Sequence, residues 1–366
     1  MQKKLIALAV VAAFSAPAFA DVTAYGVLDA AIAHISNDGQ KSDVQAVAGG
    51  LSTSRFGVKT VEDLNNGWKA VGVLEYFLDN ETNDTVGVTT AGALKARQQM
   101  LAVAGDFGTV ATGYLQTTGY DFAVKFDPTA GSSVSPLQSM AMGGGNLIGT
   151  TTVAARAQRA LAYISPDLGG VTVAVNYTTA ASLSAATNGN LGNLGLASSA
   201  ADTKITATLV SATYNGGPLS VGGVYAKASL PSALASSEPK EYALGASYDF
   251  GVAKVLGTYQ NLKVDLNNFS SKAVSLSVVA PVGPGAVVGT YAKLTTSNAG
   301  VSLGGKGMTV AYLQGLSKQT TAYAAIEKIT NNSNTVGLSV DNNALSSVAT
   351  GGGSSTLIAV GLKKVF

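Results

Sequence analysis

Apolar and polar residues alternate along most of the chain from residue 21 onward. Within 171–178, the odd positions hold Val, Val, Val and Tyr, whereas the even positions hold Thr, Ala, Asn and Thr. Such alternation is typical of a β-strand with one apolar face. Comparable segments, bounded by Gly, Pro, Asn, Asp and Ser, predict sixteen strands. These strands are 22–35, 54–61, 68–78, 97–105, 109–115, 156–164, 171–178, 204–214, 219–228, 241–250, 252–263, 272–280, 286–294, 308–315, 320–329 and 355–366.

The connections between these strands are alternately short and long. A tight turn at 62–67 is typical of the short ones, whereas a polar loop at 36–53 and a low-complexity loop at 180–201 are typical of the long ones. Even strand numbers with this arrangement characterise bacterial outer-membrane barrels. The alternative, a pair of soluble sandwiches, requires aliphatic inner faces, but the second face here carries Thr, Ser, Asn, Gln and Lys. The pattern therefore predicts an all-β fold, a 16-stranded antiparallel transmembrane β-barrel.

The longest connection, 116–155, has little periodicity of its own. It covers roughly forty residues, a length that is uncommon inside a compact domain unless the loop is functional or disordered. Arg97 opens the hairpin that precedes this loop, and Arg156 opens the strand that follows it. An inward fold of the loop would bring it next to these side chains, so we expect a charged constriction inside the barrel.

Charged residues of the predicted strands share a face with polar neighbours. Arg55 and Lys59 lie on the face opposite Phe56, and Glu75 lies on the face opposite the apolar residues of its strand. Because a Lys or Arg at the lipid midplane costs about 2–4 kcal/mol, these charged side chains are predicted to face a water-filled lumen. Trp68 adjoins a short turn, a position that suits an aromatic girdle at the membrane interface.

The N-terminal segment and the composition limit the possible functions. Residues 1–20 combine a basic start, a short apolar run and an Ala-Phe-Ala ending, which predicts a cleaved signal peptide and a barrel domain at 21–366. Without Lys3 and Lys4 the 23 basic and 21 acidic residues balance, so nucleic-acid binding has no electrostatic support. The chain has no cysteine and a single histidine, His34, so we expect no cofactor, no metal site and no enzyme.

Several segments carry a family resemblance. They are Ser-Arg-Phe-Gly-Val-Lys at 54–59, Arg-Gln and Gly-Asp-Phe-Gly-Thr-Val within 97–110, the segment from Arg156 to Ser-Pro at 165–166, and the C-terminal Val-Gly-Leu-Lys-Lys-Val-Phe. The chain thereby resembles the general trimeric porins of Gram-negative outer membranes, especially their beta-proteobacterial branch. The resemblance implies that 116–155 is the third external loop and bends into the channel. It also implies a homotrimer, contact with outer-membrane lipid and lipopolysaccharide, and a C-terminal Phe366 that the barrel-assembly machinery reads.

The same resemblance assigns residues to the channel. It implies that Arg55, Arg97 and Arg156 line the pore and that Glu75 is a lumenal acid. Where the family often has an arginine after the glycine of the fifth strand, this chain has Tyr114. One basic contribution to the constriction is therefore absent. Arg159, at a position where Asn is usual in the family, has the parity opposite to that of Arg156.

Asp121 and Asp127 are the acids that the long loop offers, and Lys59 adds a further positive charge on the wall. A sixteen-stranded barrel leaves an aqueous channel, so we expect passive diffusion of ions and small hydrophilic solutes. The excess of positive groups predicts a mild anion preference. An alternative is a solute-selective porin with an internal binding site, although 116–155 lacks a run of aromatic residues. An adhesive role of the exposed loops is a third possibility, whereas a hydrolase would need a base beside a nucleophile.

Overall fold

The computed structural model describes residues 21–64, 66–78, 80, 96–149, 155–180, 205–229, 238–265, 268–298, 301–335, 337–340 and 351–366. The predicted signal peptide 1–20 and most of the predicted loop 180–201 lie outside these residues. Within the described residues, the strands form one antiparallel sheet. They are β1 (Asp21–Asn37), β2 (Asp43–Ala48), β3 (Arg55–Asp63), β4 (Lys69–Phe77), β5 (Ala96–Gly105), β6 (Gly108–Gln116), β7 (Arg156–Ile164), β8 (Val171–Ala180), β9 (Ile205–Gly216), β10 (Leu219–Ser229), β11 (Lys240–Asp249), β12 (Lys254–Val264), β13 (Phe269–Val282), β14 (Gly285–Asn298), β15 (Val301–Ser317), β16 (Thr320–Asn331) and β17 (Ser354–Val365).

The sheet closes on itself through its first and last strands. β1 pairs with β17 from Val27 opposite Val365 to Asn37 opposite Ser355. On the other edge of β1, β2 and β3 lie end to end, β2 opposite 30–35 and β3 opposite 21–27. The two short strands together occupy one position of the barrel, so the predicted sixteen-stranded antiparallel barrel is confirmed.

The segment of β2 differs from the prediction, which placed it inside a polar loop at 36–53. Val47 breaks the alternation of polar and apolar residues, because it lies on the same inward face as Asp43 and Gln45, and the stretch is only six residues long. Pairing with β1 supplies the backbone hydrogen bonds that make it a strand, and this tertiary contact is invisible in a local pattern.

The two faces of the wall have the predicted chemistry. Ile32, Leu101 and Leu244 point outward with 67%, 61% and 58% of their surfaces exposed. The opposite face carries buried polar residues such as Thr290 and Ser277, whose hydroxyls are 3.1 Å apart. Trp68 remains 44% exposed on the outer surface, as an interfacial aromatic residue should. No helix of the described residues is long and apolar enough to span a membrane.

The connection 116–155 contains two helices, although the sequence analysis predicted an irregular loop. Helix α1 (Thr118–Phe126) begins where the Thr117 side chain accepts the amide of Tyr120, and α2 (Pro136–Gly143) begins where Ser135 accepts the amide of Gln138. Ser or Thr at these positions satisfies amides that a helix leaves unpaired. Both helices are so short that their periodicity is weak, and the packing that stabilises them is tertiary.

Both helices pack on the inner face of the wall, where it carries an apolar patch: Leu294 and Ile329 belong to the cluster with α2, and Leu209 and Val224 belong to the cluster with α1. The ring of Phe126 lies against Gly222 of β10 and Gly245 of β11, where an added Cβ would come within 2.9 and 2.6 Å of it. Pro136 of α2 lies equally close to Gly307 of β15, at 2.7 Å. Gly245 alternates with the outward Leu244 along β11. Glycine on the inward face therefore gives the helices room to approach the strands.

Candidate channel constriction

Charged side chains from three adjacent strands meet at Glu75 on the inner wall. The Arg97 Nε of β5 is 2.8 Å from Glu75 Oε1, and the Arg55 Nε of β3 is 3.7 Å from Glu75 Oε2. The Glu75 side chain is only 6% exposed, and those of Arg97 and Arg55 are 14% and 28% exposed. Gln98 stands opposite Glu75, so in a regular strand Arg97 would point to the other face of the sheet. A register irregularity between Glu75 and Tyr76 instead places Arg97 beside the Glu75 carboxylate.

Tyr25 reaches Glu75 from two strands away. Tyr25 of β1, Gly57 of β3 and Glu75 of β4 stand in one cross-strand row. The Tyr25 hydroxyl donates to Glu75 Oε2 at 3.0 Å, so its ring crosses β3 above Gly57. A Cβ added at Gly57 would lie 2.4 Å from Tyr25 Cζ. The glycine of the Ser-Arg-Phe-Gly-Val-Lys segment thus provides the space through which the tyrosine orients the acid.

We expect Gly57→Ala to destabilise the barrel by about 1–3 kcal/mol, because the new methyl group overlaps the Tyr25 ring and forces it aside. The measurement is the heat-unfolding temperature of the purified protein. Gly289→Ala is the control, since an added Cβ there meets nothing within 4 Å. In a Tyr25→Ala background the cost of Gly57→Ala should vanish. An equal cost in both backgrounds would show that the overlap with Tyr25 is not its cause.

Arg156 approaches the same group of residues from β7. Its Nε donates to the Arg97 carbonyl oxygen at 2.9 Å, and its Nη1 donates to the Ala155 carbonyl oxygen at 2.9 Å. The guanidinium lies over the Tyr120 ring of α1, 4.6 Å from the ring centroid. Its charge has no acid within ion-pair distance among the described residues. Arg156 thus links the helical segment to the wall and leaves its positive charge without a salt bridge.

The remaining predicted site residues occupy separate places. Lys59 shares the inward face of β3 with Arg55 but forms no ion pair within the described part of the chain. Four residues of strand separate the two cations by roughly 13 Å. Asp121 is exposed on α1 and accepts a hydrogen bond from the Gln116 side chain. Of the predicted acids, only Glu75 bonds directly to the arginines.

Asp127 differs from the expectation of an acid that lines the channel. It is 3% exposed and accepts hydrogen bonds from the Thr129 amide at 2.8 Å, the Thr129 hydroxyl at 2.7 Å and the Ser135 hydroxyl at 2.6 Å. Burial raises the pKa of the Asp127 carboxyl above its usual range, and the hydrogen bonds from Ser135 and Thr129 oppose that rise. The residue closes the turn between α1 and α2, a structural role that sequence position alone could not distinguish from a lumenal one.

A second acid, Glu241 of β11, holds the end of the helical segment and was not predicted. Its buried carboxylate accepts the Asn146 side-chain amide at 2.8 Å, the Ile148 backbone amide at 3.1 Å and the Leu147 backbone amide. Asn146 accepts in turn from the Ser271 hydroxyl at 2.8 Å. The available signal was an acid on the inward parity of β11, but its partners are about ninety residues away in sequence.

Residues 49–54, the break between β2 and β3, contact the turn of the helical segment that joins α1 to α2. The Thr53 amide donates to the Gly131 carbonyl oxygen at 3.1 Å, and the Ser133 amide donates to the Gly49 carbonyl oxygen at 3.2 Å. The 49–54 break is itself bound to Asp29, whose carboxylate accepts the Leu51 amide at 2.9 Å. The helical segment is therefore attached to the wall on opposite sides, near 131–133 and at 146–148.

The comparisons with known proteins agree with this architecture. A family model described as Gram-negative porin matches residues 7–334. The chain belongs to the Gram-negative porin family. This porin is 27% identical to outer membrane porin protein 32 of Delftia acidovorans over 372 residues, which is 100% of both chains. It is also 32% identical to the major outer membrane protein P.IB of Neisseria gonorrhoeae over 184 residues, 48% of each chain.

Solved structures show the same barrel. The anion-selective porin from Comamonas acidovorans superposes with a TM-score of 0.75 and 24% identity, covering 95% of this porin and 100% of that chain. Family membership and fold together make the protein an outer-membrane channel. The resemblance that the segments at 54–59 and around Arg97 suggested is confirmed.

Proposed function

We propose that this porin conducts ions and small hydrophilic solutes by passive diffusion with a mild preference for anions, and that 116–155 narrows its channel. The observation that carries the proposal is the unequal number of charges around Glu75. Arg55, Arg97 and Arg156 contribute three cations, whereas the same group of residues contains one carboxylate. Of the two acids expected from the loop, Asp127 is buried in the turn between the helices and Asp121 bonds to Gln116, and neither forms an ion pair with these arginines.

The expected preference is modest. Two unit charges about 8 Å apart in water interact by roughly 0.5 kcal/mol, so two uncompensated guanidinium groups favour a passing anion by about 1 kcal/mol. That free energy corresponds to a several-fold permeability ratio. Added salt screens charges over about 10 Å at 0.1 M, so the ratio should decline as the salt concentration rises.

We expect the reversal potential of the full-length protein in a planar bilayer, under a potassium chloride gradient, to have the sign of chloride preference. A several-fold chloride-to-potassium permeability ratio at low salt should approach unity in molar salt. Potassium preference at low salt would contradict the proposed role of the arginines. A non-conducting but folded protein would contradict the channel assignment itself.

A solute-selective channel is the second candidate, and the contact between Arg156 and Tyr120 favours it. The stacked pair combines a cation with an aromatic ring, a combination that suits a small organic anion, although Arg156 itself is only 9% exposed. Saturable block of the chloride current by such an anion would support this candidate. A conductance that stays linear in solute concentration would support simple diffusion.

Further parts of the proposal rest on the family resemblance. Residues 1–20 direct export, Phe366 is read by the barrel-assembly machinery, and three copies associate in contact with lipopolysaccharide. Phe366 supports its role by pairing with Gly26 in both directions, at 3.0 and 3.1 Å, which places the final residue at the seam of the barrel. Exposed Ala24 and Ala30 on β1 allow close approach of another subunit. We assign no catalytic activity to the chain.

A further inference from the structure

Six consecutive strands each carry one exposed lysine toward the end that joins the long loops. These lysines form what we call the lysine belt: Lys240, Lys263, Lys272, Lys293, Lys306 and Lys328, on β11 to β16 in that order. Lys240 stands directly opposite Lys263, and Lys293 stands directly opposite Lys306. The other neighbours are offset by two residues along their strands. The belt follows the sheet almost without a gap.

The belt lies on the outer face of the barrel. Lys306 shares its parity with Met308 and Val310, which are 56% and 52% exposed, and Lys328 shares its parity with the exposed Ile326. Lys240 likewise alternates with the buried Glu241. The ammonium groups therefore face the membrane side of the wall and not the channel.

The height of the belt coincides with a membrane boundary. Each lysine is roughly nine residues from the short-turn end of its strand, which in tilted strands that rise about 3.3 Å per residue amounts to roughly 20–25 Å. The apolar band of an outer-membrane barrel is about 25 Å tall, and the long loops lie outside the cell. The belt thus lies where the outer leaflet presents its headgroups, and flexible lysine stems reach that level easily.

The opposite half of the barrel differs. Toward the loop ends of β3, β5 and β8, the described outward positions hold Phe56, Gln99 and Tyr177. Among the described residues of β3 to β9, the outward cation at this level is Arg159 of β7, at a bulge where its φ is 48°. Lys227 of β10, which pairs with Glu238, stands next to the belt opposite Lys240. The small residues of β1 also lie on that side of the sheet. Positive charge is therefore concentrated on the half away from the proposed subunit contact.

The belt has little compensation from the protein. The Glu238 carboxylate pairs closely with Lys227, with Oε1 2.9 Å from Lys227 Nζ. Its contact with the belt is longer, with Oε2 3.9 Å from Lys240 Nζ. The other five lysines form no ion pair with any described residue. Like charges directly opposite each other destabilise a sheet. A row of this kind therefore needs anions from outside the chain. The lysine belt of a second copy would repel it, which excludes pairing of two copies through this face.

We propose that the lysine belt binds the phosphate groups of the phosphorylated glycolipid in the outer leaflet, lipopolysaccharide. Phosphate oxygens accept charge-assisted hydrogen bonds from ammonium groups, and the acyl chains of the same lipid meet the apolar residues below the belt. The inference rests on the proposed contact with lipopolysaccharide and gives it a location. A membrane lipid fits better than free phosphate, because the apolar surface and the charges are continuous along the wall.

The test compares two triple variants of the full-length protein. Lys272→Gln, Lys293→Gln and Lys306→Gln together remove the centre of the belt. Lys69→Gln, Lys318→Gln and Lys364→Gln remove the same charge from exposed lysines at the short-turn side. The measurement is binding to detergent micelles that contain diphosphorylated lipid A or the dephosphorylated lipid, with a chelator present to exclude bridging by divalent cations.

We expect the belt variant to bind diphosphorylated lipid A at least about tenfold more weakly than the parent, because each cation near an anionic surface contributes substantially to binding. The short-turn variant should bind like the parent, and the parent should bind the dephosphorylated lipid as weakly as the belt variant binds lipid A. Inorganic phosphate at millimolar concentration should not displace the lipid. Equal affinities of the two variants, or equal binding of both lipids by the parent, would overturn the proposal.

Single substitutions keep the test decisive if the triple variant fails to fold. Lys272→Gln, Lys293→Gln and Lys306→Gln should each weaken binding about two- to fivefold, whereas Lys318→Gln should leave it unchanged. Conductance and reversal potential in a zwitterionic bilayer should be the same in all folded variants. A parent protein that binds lipid A through the belt but does not conduct would contradict the channel proposal and not the lipid site.

Discussion

Replacement of Arg97 by alanine should roughly halve the free energy by which the channel prefers anions. Arg97 is the nearest cation to Glu75, at 2.8 Å, and its loss reduces the three arginines and one acid to two arginines and one acid. The net charge of the group thereby falls from +2 to +1, and the remaining ion pair of the Glu75 carboxylate is its 3.7 Å contact with Arg55. A charge change close to the path of the ions alters the permeability ratio by a few-fold at low salt. The reversal potential under a salt gradient measures this change.

Two variants separate charge from structure in that experiment. Arg97→Lys keeps the cation and should retain most of the preference, although it loses the fixed geometry of the guanidinium. Glu75→Gln removes the negative charge and should raise the preference above that of the parent. An Arg97→Ala channel with an unchanged ratio would refute the assignment of this group of residues to the ion path. A ratio that falls equally in Arg97→Lys would indicate a packing effect.

The barrel was predictable because its physics is local along each strand. Lipid on one side and water on the other impose a period of two, so a segment such as 156–164 could be delimited correctly from its residues. The same reasoning identified the inward parity of Arg55 and Glu75. Parity says on which side of a regular strand a residue lies, but it does not account for Arg97, which a register irregularity places beside Glu75.

Parity does not say what a residue touches. Asp127 and Glu241 are both acids with suitable positions, yet one closes a turn within the loop and the other holds the end of that loop to the wall. Tyr25 reaches Glu75 only because Gly57 leaves a gap between them. These contacts join strands and loops that are far apart in sequence, so they depend on strand register and on the course of the loop. A single sequence specifies neither of them locally.

Glu241 provides the second large effect. Glu241→Ala removes the acceptor for the Asn146 side chain and for the backbone amides of Leu147 and Ile148. Each buried donor left without a partner costs about 1–3 kcal/mol, so the attachment of the loop should weaken by roughly 3 kcal/mol or more. We expect a larger and noisier single-channel current, passage of larger polyethylene glycols and a lower unfolding temperature.

The matched control is Glu238→Gln, an acid three positions earlier whose salt bridges with Lys227 and Lys240 lie on the surface. Exposed pairs contribute only about 0–1 kcal/mol, so conductance and polymer exclusion should stay at the parental values. If Glu241→Ala lowers the unfolding temperature but leaves polymer exclusion unchanged, the contacts of Phe126 and Pro136 with the wall suffice to position the loop. If both properties change together, the buried Glu241 carboxylate determines the width of the channel through the backbone amides of Leu147 and Ile148 that it accepts.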